Sequence, residues 1–229
     1  MIMLGFRETT ITADDGALMH GFVHDGETLP VLLLHDLGAD ANYWTAFLEA
    51  ALQREPKLAV AALDLRGHGG SELGTETSRK RFVKDLRKWV QQLEIDAPIV
   101  VGHGYGADVA MAADFVRSVV AVNPACGRGP APVDDELPTP PELHGPISED
   151  ALRMCSVGAA NAKQIKRSRR DAPLFLVLAD PHDTQFPDLE QLREVATDEQ
   201  IWNSGSRHLP LESPVGLATL VLGWIEEVE

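Results

Sequence analysis

Short runs of apolar, often β-branched residues recur along the chain, each followed by a turn signal. The runs at residues 31–34, 58–63, 98–101, 119–122 and 174–178 are apolar at nearly every position. A strand that is apolar on both faces is buried on both faces, which is the mark of a mostly parallel sheet. Weaker strand candidates lie at 6–11, 18–23 and 200–202. Between the runs the period changes. Phe82, Leu86, Trp89, Val90 and Leu93 fall at spacings of three and four, so the pattern predicts an amphipathic helix over 79–93. Similar spacing predicts helices over 43–53, 107–114, 189–195 and 215–228. Strands alternating with helices give an α/β class fold, a three-layer sandwich around a mostly parallel central sheet.

Residues 125–172 interrupt the alternation. Proline, glycine and acidic residues crowd 126–146, and 149–166 has room for one or two short helices. Those helices offer too little apolar surface for a core of their own. The segment is therefore expected to be a small lid or insertion above the sheet, within one domain spanning 1–229. A chain of 229 residues, 44% of them hydrophobic, is sufficient to bury the core of such a domain.

Charge narrows the partners. A formal charge of -15 and a pI of about 4.9 repel a phosphate backbone, which argues against nucleic acid and against an anionic membrane surface. The two cysteines, Cys126 and Cys155, cannot make a disulfide framework or a metal cluster, so both read as free thiols in a reducing compartment. The N-terminal stretch turns polar before reaching the length of a signal-peptide core, and no run approaches the roughly 20 apolar residues of a membrane span. The expectation is a soluble, cytoplasmic protein with a small-molecule ligand or substrate and no metal or cofactor. The glycine turn at 67–70 lacks the strand-to-helix context of a dinucleotide fingerprint.

Four stretches carry the chemistry. VLLLHDLGAD at 31–40 is a strand ending in His35-Asp36-Leu37-Gly38. LDLRGHGGSE at 63–72 is a strand followed by a glycine-rich turn. VVGHGYGAD at 100–108 is a strand running into a glycine-bracketed turn and a helix. SRHLPLESP at 206–214 sets His208 before the last helix. In order and spacing these resemble the α/β-hydrolase superfamily, esterase- or lipase-like, over essentially the whole chain. The resemblance implies a nucleophile elbow at Gly102-His103-Gly104-Tyr105-Gly106, where the family holds serine in G-x-S-x-G. It implies an oxyanion hole from the backbone N–H groups of Leu37 and Tyr105, a general base at His208, and an acid at Asp183 that orients it. Asp180, in the same loop, is the rival for the acid. Asp183 is preferred because Phe186-Pro187 follow it as they follow the family's acid.

The departure is at the centre of the elbow. Residue 104 is glycine, which has no hydroxyl to deprotonate, so no acyl-enzyme can form there. Ser71 and Cys126 are the candidates for a relocated nucleophile, and neither lies on the elbow. Gly104 also suits the backbone, because the elbow residue takes a positive φ that glycine adopts without penalty. Three readings follow. In the first, His208 and Asp183 perform noncovalent acid–base chemistry on a small organic molecule. In the second, the chain is a pseudoenzyme that binds a ligand or protein. In the third, it is an esterase-like hydrolase whose serine has been replaced at 104 by design.

Other residues have plainer readings beside these. His35 and His103 are expected to pack and hydrogen-bond beneath the site, and His68 likewise on its turn. Asp36 replaces a glycine of the family pattern, and is expected to point outward or to cap the following helix. Tyr105 offers a hydroxyl either to a ligand or to packing under the insertion. Lys163, Lys166, Arg167, Arg169 and Arg170 form a basic cluster, expected to be a solvated face, with a site for a phosphate-bearing ligand or an acidic partner as the sharper reading.

Overall fold

The computed structural model describes residues 5–125, 171–179, 189–202 and 208–229. Among them eight strands form one sheet: β1 (Arg7–Thr12), β2 (Leu18–His24), β3 (Val31–Leu34), β4 (Val60–Leu63), β5 (Ile99–His103), β6 (Ser118–Val122), β7 (Leu174–Leu178) and β8 (Asp198–Ile201). Their order is β1-β2-β4-β3-β5-β6-β7-β8. Strand β2 runs antiparallel to β1 and β4, and every pairing from β4 to β8 is parallel. The three candidates read as weaker are the two edge strands, β1 and β8, and the antiparallel β2 beside β1. Their half-exposed patterns explain the weaker signal, whereas β3 to β7 are buried at every position.

Helices α1 (Thr45–Arg54), α2 (Arg79–Gln92), α3 (Tyr105–Ala112), α4 (Leu189–Arg193), α5 (Leu209–Glu212) and α6 (Pro214–Val228) flank the sheet, and a 3-10 turn (Ala41–Trp44) precedes α1. The period of two along each strand sorts its side chains into two cores. Leu32, Leu34, Ala61, Leu63 and Val100 pack with Phe82, Leu86 and Trp89 of α2 and Val109 of α3. Val31, Leu33, Val60, Ala62, Ile99 and Val101 pack on the opposite face with Phe47 and Leu48 of α1 and Leu217, Val221 and Trp224 of α6. This is the three-layer α/β sandwich that the pattern predicts. The insertion expected at 125–172 lies, apart from its ends, outside the described residues.

This sorting fixes where a site can form. Strands β3 and β5 are neighbours, yet the chain leaves β3 toward α1 on one face and β5 toward α3 on the other. Adjacent strands whose connections diverge open a crevice at their carboxyl ends, where ligands bind in such sheets. Among the described residues, no helix is long and apolar enough to cross a membrane.

Candidate functional site

The register of the sheet brings the site together. Leu34 of β3 is paired with Gly102 of β5. Two residues further along both chains, Asp36 and Gly104 leave the sheet side by side. Gly104 is the N-cap of α3 at φ 54° and ψ -120°, the left-handed backbone expected of an elbow. Its N–H donates to the Val122 carbonyl at 3.1 Å, and its own carbonyl accepts from Ala125 N–H at 3.1 Å, so β6 and its outgoing loop hold the turn. At the second residue of α3, a Cβ on Gly106 would stand 2.4 Å from the Leu34 carbonyl oxygen. Glycine there lets the helix press against the end of β3.

Asp36 corrects the expectation. It points neither outward nor to a helix cap, but into the elbow. Its Oδ1 accepts from Leu37 N–H at 2.8 Å and from Tyr105 N–H at 2.7 Å. These are the two donors assigned to an oxyanion hole, and one carboxylate oxygen of the protein takes both. A Cβ built on Gly104 would lie 2.1 Å from Asp36 Cγ and 2.2–2.3 Å from its oxygens. The aspartate therefore fills the space that a side chain at residue 104 would need. Asp40 caps the 3-10 turn before α1 instead, its Oδ1 accepting from Asn42 N–H at 2.8 Å.

Three side chains behind Asp36 stitch the loops after β3 and β4. His35 donates from Nδ1 to the Asp36 carbonyl at 2.7 Å and accepts at Nε2 from Leu65 N–H at 3.0 Å. His68 donates from Nδ1 to the Arg66 carbonyl at 2.9 Å and accepts at Nε2 from Gly38 N–H at 3.1 Å. A ring nitrogen that accepts from a backbone N–H must be unprotonated, so both imidazoles are neutral Nδ1–H tautomers. Burial lowers the pKa of both, that of His68 to about 3. Asp64 accepts from Ala41 N–H at 2.7 Å and Gly70 N–H at 2.8 Å, and pairs with His20 at 2.7 Å. Burial raises the Asp64 carboxyl and the His20 contact lowers it, with the net effect downward. Ser71, the alternative nucleophile, donates to the Asp64 carbonyl and accepts from His20 N–H, each at 2.8 Å, and is buried. It is a structural residue.

His208, half-buried at the start of α5, lies on the other side of the crevice. Its Nδ1 is 3.2 Å from the Tyr43 hydroxyl. Tyr43 is buried, with its ring stacked on His103 at a centroid separation of 5.1 Å. Burial first, then the negative charges of Asp36 and Glu212, push the phenol pKa far up, so it stays protonated at any working pH. A phenol both donates and accepts, and the contact therefore suits either tautomer of His208. Tyr43 is a site residue that sequence reasoning missed, because it reads there as the first turn of a helix. Asp183 and Asp180 lie outside the described residues, as do Cys126 and the basic cluster. Tyr105 is buried, edge-on to Phe82 of α2 at 5.3 Å, and so packs into the core beside that helix.

An elbow with positive φ at the end of β5, donors at its helix N-terminus and a histidine before the last helix define a recognisable arrangement. The sequence matches the model of the alpha/beta hydrolase family over residues 31–224. The chain belongs to that family. Among curated relatives of this α/β-hydrolase, protein phosphatase methylesterase 1 of Mus musculus is 32% identical over 100 residues, which cover 40% of this chain and 26% of that protein. The match thus spans about a quarter of the relative's length. Among solved structures, a putative epoxide hydrolase from Pseudomonas aeruginosa superposes with a TM-score of 0.78 at 20% identity, covering 100% of this chain and 98% of that one. The bottromycin epimerase BotH, in complex with bottromycin, superposes with a TM-score of 0.74 at 19% identity, covering 93% and 98%. At these identities the structures speak for the fold.

Proposed function

We propose that this α/β-hydrolase has no serine nucleophile and acts in the cytoplasm on a small organic molecule by proton transfer at His208, oriented by Asp183, without an acyl-enzyme. The observation that carries the reading is the Asp36 carboxylate, whose Oδ1 takes both Leu37 N–H and Tyr105 N–H. A substrate carbonyl oxygen then finds no pair of open donors, and residue 104 offers no group to attack it. His208 remains, set against the Tyr43 hydroxyl, as a ring whose nitrogens can accept or donate a proton. Ester hydrolysis, the activity in the mouse relative's name, is the chemistry that Asp36 and Gly104 together oppose. Their fit also speaks against a serine removed by design, since serine's Cβ would need the Asp36 side chain elsewhere.

The test has two arms. The protein is incubated in deuterium oxide with a pool of small carbonyl, hydroxy and amino compounds, and mass spectrometry follows deuterium uptake or isomerisation. Turnover that disappears in His208→Ala supports the reading, and an inert wild type would leave the pseudoenzyme. In parallel, a serine-reactive phosphonate and a short-chain aryl ester are offered to the wild type, to Gly104→Ser, and to Gly104→Ser with Asp36→Gly. The expected result is labelling and ester turnover in the double variant alone. Phosphonate labelling or ester turnover by the wild type would overturn the reading.

A further inference from the structure

We infer that Asp36 makes this site a receptor for a small organic cation, a protonated amine whose ammonium group pairs with the carboxylate at the elbow. The inference rests on the reading above only in placing the ligand at this crevice.

An oxyanion hole is a pair of backbone donors aimed at negative charge. In this chain that pair is already satisfied, because Leu37 N–H at 2.8 Å and Tyr105 N–H at 2.7 Å both point at Asp36 Oδ1. What the crevice presents to a ligand is therefore the other carboxylate oxygen. Among the described residues no hydrogen bond reaches Oδ2, and no lysine or arginine pairs with the carboxylate. The polarity of the site is inverted from one that receives an anion to one that offers an anion.

Three features make that charge a fixed one. Oδ1 is pinned by two N–H groups from different elements, one in the β3 loop and one at the start of α3. Gly104 leaves the carboxylate its room, and no other residue at that position would. Asp36 is only half-buried, so Oδ2 is within reach from the crevice. Among the described residues, Glu212 adds to the same sign. Tyr43, across the crevice, feels the negative charge of both Asp36 and Glu212. The histidines behind Asp36, His35 and His68, are held neutral by accepting backbone N–H groups and supply no counter-charge. A partly desolvated carboxylate without a cation is costly, and a ligand that brings an ammonium group relieves the cost with charge-assisted hydrogen bonds.

The test compares two probes of the same chain length and opposite charge, n-butylammonium and n-butyrate. Each is titrated at millimolar concentration into the isotopically labelled protein, with the amide signals of Leu37 and Tyr105 as reporters, because those N–H groups are bonded to Asp36. The expected result is that butylammonium shifts both signals in a saturable manner and butyrate does not. Asp36→Asn, which keeps an oxygen for both N–H groups but removes the charge, is expected to weaken the amine about 10-fold or more, the loss of a charge-assisted hydrogen bond. Asp36→Gly, which empties the hole, is expected to reverse the preference in favour of butyrate. His208→Ala removes proton transfer yet keeps the amine preference, so loss of turnover and loss of binding report separately. Butyrate binding to the wild type at least as well as the amine, no saturable response to the amine, or an unchanged amine affinity in Asp36→Asn would each overturn the inference.

Discussion

If Asp36 stands where a side chain at residue 104 would stand, the two positions must be coupled energetically, and the coupling is measurable. Consider Gly104→Ala. The backbone at φ 54° disfavours any Cβ, a strain of about 1–3 kcal/mol. The new methyl would also lie 2.1 Å from Asp36 Cγ, so the aspartate must leave. Leaving breaks two hydrogen bonds from backbone N–H to a carboxylate, each contributing on the order of 1.5 kcal/mol or more when one partner is charged. The sum predicts a destabilisation of roughly 4–6 kcal/mol in the wild type. In an Asp36→Gly background only the backbone strain remains, about 1–3 kcal/mol. A double-mutant cycle read by urea unfolding should therefore show a coupling of about 3 kcal/mol, far above the few tenths expected of independent sites. A coupling below about 0.5 kcal/mol would refute the packing of Asp36 against Gly104.

Three further outcomes follow from neighbouring groups. With its pKa lowered from 6.5 to about 3, His68 stays unprotonated in the fold while the unfolded chain takes up a proton below pH 6.5. It therefore removes about 1.4 kcal/mol of stability per pH unit on acidification from 6.5 toward 3. His20, whose pKa is raised first by its bond to Asp64, acts oppositely, adding stability below 6.5 and losing it as pH rises through its folded value. Urea titrations between pH 7 and 4.5 should show His68→Gln flattening the acid slope by about one proton, and an unchanged slope would refute the assignment. Arg66 is fully buried and forks onto Asp85 at 2.8 and 2.9 Å while bonding Asp15 at 2.8 Å. Arg66→Met should cost about 3–5 kcal/mol, because Asp15 and Asp85 lose the buried guanidinium and keep only Arg81, at 3.1 and 3.2 Å, with Arg66→Lys intermediate, both measured by chemical denaturation. Tyr43→Phe removes the hydroxyl at His208 Nδ1, and should change stability little while lowering deuterium exchange by about 10-fold or more, a positioning effect.

Much of the fold was legible because it is written in periodicities. Strands buried on both faces appear as unbroken apolar runs, and β3 and β7 begin and end where the pattern places them. The helix expected over 43–53 divides into the 3-10 turn and α1, since Asp40 caps the chain three residues before the apolar stripe begins. The elbow was legible through its glycines. The direction of the Asp36 side chain was not. An aspartate after a strand is read by local rules as a cap, and those rules say nothing of a residue 68 positions away in sequence that has no Cβ. The signal available was a pair of departures taken together. Where the family pattern has a small residue the chain carries aspartate, and where the pattern has serine it carries glycine, so one position gains the volume that the other gives up. Tyr43 left no such signal, because its contact with His208 spans 165 residues and follows only from the packing of α1 and α5 beside one another.

The Gly104–Asp36 fit also constrains how this sequence can change. Since Asp36 occupies the elbow, a serine arriving at residue 104 meets a carboxylate, and a glycine arriving at residue 36 leaves an open pair of donors with nothing to act beside them. Each single step toward a serine hydrolase passes through a protein that is either strained or without its anchored anion. The two positions form a latch that opens only when both are changed together.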